Sequence, residues 1–234
     1  MQAPLEKAGH CVQAHCATQK ARFGMSAKIL AVAQQKGGAG KTTIAVQLGV
    51  WWAKKRRKVT LLDVDPQGSM KAWHHLRGEA GIDGAPFASD VSGWKLSSEI
   101  DRLKAENDFI IVDTPPHAET DARVAVRAAD LILVPVQPSP MDWWATRPTL
   151  DMAAKEKTRS LLVLNRLPPR GKLVEAIRAK IEAEGLPLAA TTLGNRSAFG
   201  MSMMEGKGVA ETQPKSTAAA EIEALAKEIE KFLK

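Results

Sequence analysis

Five short stretches of this chain are apolar on nearly every residue: Ile29 to Gln34, Val59 to Val64, Phe109 to Asp113, Leu131 to Val136 and Leu161 to Asn165. A strand with one face in water alternates apolar with polar residues, so continuous apolarity over a strand's length requires cover on both faces. Between these stretches lie longer segments with helical spacing, from about Thr42 to Lys54, Met70 to Arg77, Leu96 to Glu106, Ala118 to Ala129, Trp143 to Glu156, Leu173 to Glu184 and Thr217 to Leu233. That alternation specifies an α/β fold, a doubly wound and mostly parallel sheet flanked by helices. Two weaker strand candidates, Pro86 to Ala88 and Leu188 to Leu193, would widen the sheet. The last helix gathers Ile222, Leu225, Ile229 and Phe232 on one face, and its many glutamates predict docking on the body rather than on an anionic membrane.

With 234 residues, 44% of them hydrophobic, the chain can bury one sizeable core, and we expect a single domain over residues 25–234 behind a disordered tail over residues 1–24. No apolar run approaches the roughly 18 residues that span a bilayer, and the tail lacks the continuous apolar segment of a signal peptide. The expectation is a soluble, cytoplasmic protein. Both cysteines, Cys11 and Cys16, fall in the tail, which excludes a disulfide scaffold or a cysteine-ligated cluster from the remainder. With His10 and His15 they could ligate zinc if the backbone folded around it, although an unstructured leader is the plainer reading. His74 and His75 are neighbours on a helix, cannot chelate one ion and have no third ligand. The paired tryptophans Trp51-Trp52 and Trp143-Trp144 are read mainly as core, with one of each pair free to reach an edge.

Three strand ends carry chemistry. Gln35-Lys36-Gly37-Gly38-Ala39-Gly40-Lys41-Thr42-Thr43 lies between a predicted strand and a predicted helix. Glycines let backbone N–H groups turn inward around phosphate oxygens, the helix N-terminus adds its positive end, Lys41 neutralises phosphate charge and Thr42 can coordinate Mg²⁺. Gln35 stands where the generic phosphate-loop pattern has glycine, so the loop is a variant, with Lys36 added ahead of the glycine pair. Asp63-Val64-Asp65-Pro66-Gln67-Gly68-Ser69 ends the next strand, where carboxylates of an open parallel sheet face the ligand crevice. Phe109 to Pro116 delivers Asp113 as a metal-supporting carboxylate, followed by a Thr-Pro-Pro loop. A plain turn could explain either motif alone; all three converging on one edge of a sheet is the pattern of a P-loop NTPase.

Together, K-G-G-A-G-K-T-T, D-V-D-P-Q-G-S, V-D-T-P-P and V-P-V-Q-P-S-P resemble the deviant Walker A ATPases of the ParA/MinD group, nearest to small, ParF-like partition proteins, from about Ile29 to Leu233. The resemblance implies ATP and Mg²⁺ as cofactors and slow ATP hydrolysis without a partner. It implies that Lys36 crosses a nucleotide-sandwich homodimer to the other subunit's phosphates, while Gly37, Gly38, Ala39, Gly40, Lys41, Thr42 and Thr43 cradle phosphate in cis. It further implies that Asp65 orients or activates the attacking water, that Thr42 and Asp113 support Mg²⁺, and that Asp63 shapes the switch. Asn165 is expected to contact the base, by position rather than by motif.

The net charge of +7 is segregated, with Lys54 to Lys58 contributing five consecutive cations and the span from Lys155 to Lys207 ten Lys and Arg against five Asp and Glu. Such segregation suits binding to DNA backbone without base readout, although the five-residue run is equally well read as a solvated helix end. Arg166, Arg170, Lys172, Arg178 and Arg196 lie where the resembling proteins place their DNA-binding face. The implied cycle is ATP-driven dimerisation, nonspecific DNA binding in a nucleoid-associated state, and release by hydrolysis under a ParB- or ParG-like stimulating partner. The rivals on the same scaffold are a P-loop kinase or synthetase of small-molecule metabolism and a MinD-like membrane-associated regulator. The former lacks a visible acceptor constellation and the latter a basic apolar tail. Nitrogenase-like reductases need body cysteines and tyrosine-kinase relatives a tyrosine cluster, and this chain has neither.

Overall fold

The computed structural model describes residues 26–82, 84–91, 93–116 and 119–234; the tail expected to be disordered, with its histidines and cysteines, lies outside them. Six strands, β1 (Lys28–Val32), β2 (Val59–Asp63), β3 (Phe87–Asp90), β4 (Phe109–Asp113), β5 (Leu131–Val136) and β6 (Ser160–Leu164), form one sheet in the order β3-β2-β4-β1-β5-β6. Every pairing is parallel. The helices are α1 (Lys41–Lys54), α2 (Ser69–Glu79), α3 (Leu96–Leu103), α4 (Glu119–Ala128), α5 (Pro140–Lys155), α6 (Lys172–Ala183), α7 (Ser197–Met204), α8 (Val209–Thr212) and α9 (Thr217–Phe232).

Alternate strand residues feed opposite layers, and both sets are apolar, which is why the strands show no polar phase. Leu30, Val32, Leu61, Ile111, Leu133 and Val163 pack with α1, α2 and α9, where Trp52 stacks on Phe109 with ring centroids 4.1 Å apart. Ile132, Val134, Leu162 and Leu164 meet α4, α5 and α6, while Leu62, Ile110 and Val112 meet α3 and α4. Trp51 and Trp52 are both buried, whereas Trp144 is 65% exposed. The predicted apolar face of α9 is buried, with Ile222, Leu225 and Ile229 in the core. Among the described residues no helix is long and apolar enough to cross a membrane.

Two expectations change. Leu188 to Leu193 is not a strand. It touches β6 through a parallel bridge at Leu188 and through Leu193 N–H to the Leu164 carbonyl, but the intervening N–H groups of Ala190 and Thr191 donate to the Glu228 carboxylate of α9 at 2.7 and 3.0 Å, which interrupts the ladder. Helix α5 begins at Pro140 rather than Trp143, because Ser139 caps it and proline at the first helical position costs no hydrogen bond. Helices α7 and α8 are additional; α7 carries Gly200 and methionines on several faces and so shows no helical period in sequence.

Because β1 lies between β4 and β5 while its own chain continues through α1 to β2, the strand order reverses around β1. In an open parallel sheet the crevice beyond the strand C-termini at such a point is where ligands bind. The same polarity puts Lys55 to Lys58, which precede β2, at the opposite edge.

Candidate nucleotide-binding site

The loop after β1 turns through two left-handed glycines, Gly38 at φ 75° and Gly40 at φ 92°, before α1 starts at Lys41. Nothing lies within 4 Å of where a side chain would stand on Gly37 or Gly38, so the glycine pair fronts open space. The loop's carbonyls are tied back by side chains from neighbouring strand ends. Gln137 donates to the Gly38 carbonyl at 2.9 Å, and Asn165 Nδ2 donates to the Ala39 carbonyl at 2.8 Å.

Behind the loop, Lys41 is 6% exposed, and burial pushes its ammonium below the ordinary lysine range against the opposing pull of Asp113 and Asp65. The Asp113 carboxyl is pushed up to about 7, chiefly by burial. Its Oδ2 accepts the Thr42 hydroxyl at 2.5 Å, while its Oδ1 is buried with no partner. A desolvated ammonium and an unpartnered buried carboxylate beside a hydroxyl fit a phosphate chain and one hard divalent cation, which takes oxygen ligands and keeps much of its water. Thr42 and Asp113 would hold the cation, and Lys41 the phosphates.

Asp63 and Asp65 diverge in role. Asp63 accepts from the N–H groups of Asp65 at 3.1 Å, Met70 at 3.1 Å and Lys71 at 3.2 Å, so it caps the start of α2. Burial pushes its carboxyl up while those three bonds draw it down. Asp65 is half-buried in the turn after β2, holding the Gln67 N–H at 3.0 Å, within electrostatic reach of Lys41. The far end of α2 is anchored by Arg77, which forks onto Glu211 at 2.9 and 3.0 Å and donates to the Gly206 carbonyl at 3.1 Å.

Lys36 stands apart from the cradle. Its ammonium pairs with the Asp142 carboxylate in the first turn of α5. Asn165 and Arg166 line a cavity of about 580 Å³ beside the loop, with Gly40, Thr43, Asn195 and Phe199. Sequence reasoning missed Gln137, Asp142, Asn195 and Phe199. Gln137 lies within the V-P-V-Q-P-S-P motif, which carried the resemblance but no role for that side chain, and nothing in the sequence marked Asp142, Asn195 or Phe199.

The cationic candidates differ in exposure and pairing: Arg166 is exposed and lines the cavity beside the loop together with Arg196. Arg170 and Lys172 are exposed at the start of α6, and Arg178 is half-buried on it. Arg196 is held by Glu221 of α9 through bonds of 2.9 and 2.6 Å, so its charge is already partnered.

The CobQ/CobB/MinD/ParA nucleotide binding domain matches residues 30–209, a span that contains every strand end just described. The chain belongs to this family. Among its relatives, the maintenance of carboxysome distribution protein A of Halothiobacillus neapolitanus is 32% identical over 205 residues, covering 82% of this chain and 91% of the relative. Protein ParA of Rhizobium radiobacter is 30% identical over 179 residues, 73% of this chain and 80% of the relative. The solved septum site-determining protein MinD of Pyrococcus horikoshii, in complex with Mg-ADP, superposes with a TM-score of 0.72 at 21% identity, over 88% of this chain and 96% of that one. At that identity the superposition speaks for the fold, and the fold of this family member is the MinD/ParA P-loop fold.

Proposed function

We propose that this family member is an ATPase that positions cargo in the cell. ATP with Mg²⁺ occupies the loop, two copies close around two nucleotides, the closed dimer binds DNA without reading sequence, and a partner protein triggers the hydrolysis that releases it. The observation that carries the reading is the division of labour between two lysines of one loop. Lys41 is buried in the cradle beside Asp113, whereas Lys36 lies outside it, 36% exposed on its side chain. A lysine held off its own cradle contributes little to a monomeric hydrolase; across a dimer interface it makes nucleotide binding and dimerisation reciprocal. Asp65, near Lys41 and in a turn free to respond to the γ phosphate, is the group that orients the attacking water. Arg166, Arg170, Lys172 and Arg178 are the candidate DNA contacts, with Arg196 contributing least because Glu221 neutralises it. Relatives named for carboxysome distribution and for partition support positioning as the class of task.

The test is duplex DNA of random sequence. With ATP and Mg²⁺, the Asp65→Ala variant should form a complex whose affinity falls steeply with salt, and Lys36→Ala should abolish it. Absence of DNA binding in every nucleotide state would favour the metabolic or membrane readings of the same scaffold.

A further inference from the structure

We propose that Asp142 is a positioning residue for Lys36. It holds the lysine on its own protomer when no nucleotide is bound and so sets how much nucleotide is needed to join two copies. The inference rests on the sandwich reading above and adds to it the group that competes with the partner's phosphates.

The simpler role for an aspartate in a first helical turn is capping, and part of the geometry fits it. Ser139 accepts the Asp142 N–H at 3.1 Å, and its hydroxyl turns onto Asp142 Oδ2. A closed capping box would also have the carboxylate accept the Ser139 N–H. Here that N–H goes instead to the Gln137 carbonyl at 2.8 Å, and Asp142 Oδ1 is left buried with no partner. The carboxylate is turned to Lys36, 106 positions earlier in the chain. Capping explains the serine contacts and leaves the ion pair unexplained.

The pair is also built into the root of the loop. Gln34, the last buried residue before it, donates to Thr146 Oγ1 at 3.0 Å, and Thr146 donates to the Asp142 carbonyl at 2.8 Å. Gln137 grips the Gly38 carbonyl from the same segment. The start of α5 and the phosphate loop are therefore one hydrogen-bonded unit, in which the carboxylate is buried and the lysine side chain reaches it from the partly exposed side.

If Lys36 leaves to reach a phosphate on another subunit, a carboxylate only 3% exposed loses its cation. Stripping a buried charge of its partner is costly, so the bound phosphate must offset that cost, and the apparent affinity for nucleotide in dimerisation is reduced by the fraction of lysine that is free.

The experiment follows dimer formation by sedimentation as AMPPNP with Mg²⁺ is titrated into the full chain, comparing wild type, Lys36→Ala and Asp142→Asn. Asparagine keeps the shape and the serine contact while removing the charge. Wild type should dimerise, Lys36→Ala should not, and the midpoint for Asp142→Asn should fall about tenfold, the scale of one charge-assisted hydrogen bond. A folded Asp142→Asn protein whose midpoint is unchanged or raised overturns the proposal. A wild-type protein that stays monomeric at saturating AMPPNP overturns the sandwich reading instead. Should Asp142→Asn fail to fold, the nucleotide-free wild type still decides. Its lysine-labelled NMR spectrum should show a protected ammonium signal that disappears in Lys36→Ala, and the lack of such a signal refutes the latch.

Discussion

Replacing Lys36 by alanine should destabilise the nucleotide-free protein, apart from any effect on dimerisation. The substitution removes the cation from a carboxylate that is 3% exposed and is left with the Ser139 hydroxyl on Oδ2 and no partner on Oδ1. A hydrogen bond to a charged group contributes about 1.5–3 kcal/mol net. The lysine end of the pair is 36% exposed, so solvent screens part of that, and about 1–2 kcal/mol is the expected loss. For a domain of this size each kcal/mol moves the thermal midpoint by about 2–4 °C, which predicts a drop of about 2–8 °C in scanning fluorimetry without nucleotide. Asp142→Asn removes the charge that suffers and should cost less. The double variant should recover most of the loss, giving a coupling of at least about 1 kcal/mol in urea denaturation. A Lys36→Ala protein within about 0.3 kcal/mol of wild type, or a double variant that loses the sum of the singles, would refute the reasoning. Any comparison of DNA binding by Lys36→Ala must accordingly be made well below its lowered midpoint, or unfolding will pass for lost function.

The remaining predictions concern the anchor of α2, the Asn165 bond to the loop and the Asp113 carboxyl. A side chain on Gly206 would meet the Arg77 backbone nitrogen at 2.3 Å and its Cα at 2.5 Å, with φ at 64°, so Gly206→Ala should cost at least about 3 kcal/mol in urea denaturation; a loss under about 1 kcal/mol would mean that α2 is not anchored there. Asn165→Ala frees the Ala39 carbonyl and should weaken ATP binding in calorimetry by about tenfold, the value of one buried hydrogen bond, with the fold intact; unchanged affinity would show that the loop holds its shape unaided. Burial raises Asp113 to about 7, so between the unfolded value near 4 and that point the folded protein binds more protons than the unfolded one, and stability falls as pH rises. In chelator and without nucleotide, wild type should therefore be less stable at pH 8 than at pH 5, by an amount that Asp113→Asn removes; an identical slope in the variant would show that another group is responsible.

The sheet was legible because its strands carry the constraint themselves: Ile110, Ile111 and Val112 are buried on both faces, and no half-exposed strand is written that way. The loop was legible because its glycines and lysines are contiguous. What could not be read were contacts closed by the fold over long separations. Asn165 was singled out by its position after β6, and that position gave no sign that its amide nitrogen serves the Ala39 carbonyl, 126 positions away. Arg196 counts as a free cation in a sum of charges and is spent on Glu221, because α9 folds back beside it. Leu188 to Leu193 has the residues of a strand and loses the ladder to a glutamate from the same helix.

The resulting site depends on the two strands that contribute none of its phosphate ligands. The residues proposed to meet phosphate or metal, Lys41, Thr42, Asp65 and Asp113, follow β1 and β2 or end β4. The side chains that restrain the loop, Gln137, Asp142 and Asn165, follow β5 and β6, on the other side of β1. A loop of three glycines would lose much conformational entropy on closing around phosphate if it were free in the unliganded protein. Fixing its carbonyls from the β5–β6 side moves that cost into folding, so that on the proposed reading the binding energy is left to act on the turn at Asp65 and on the ion pair of Lys36.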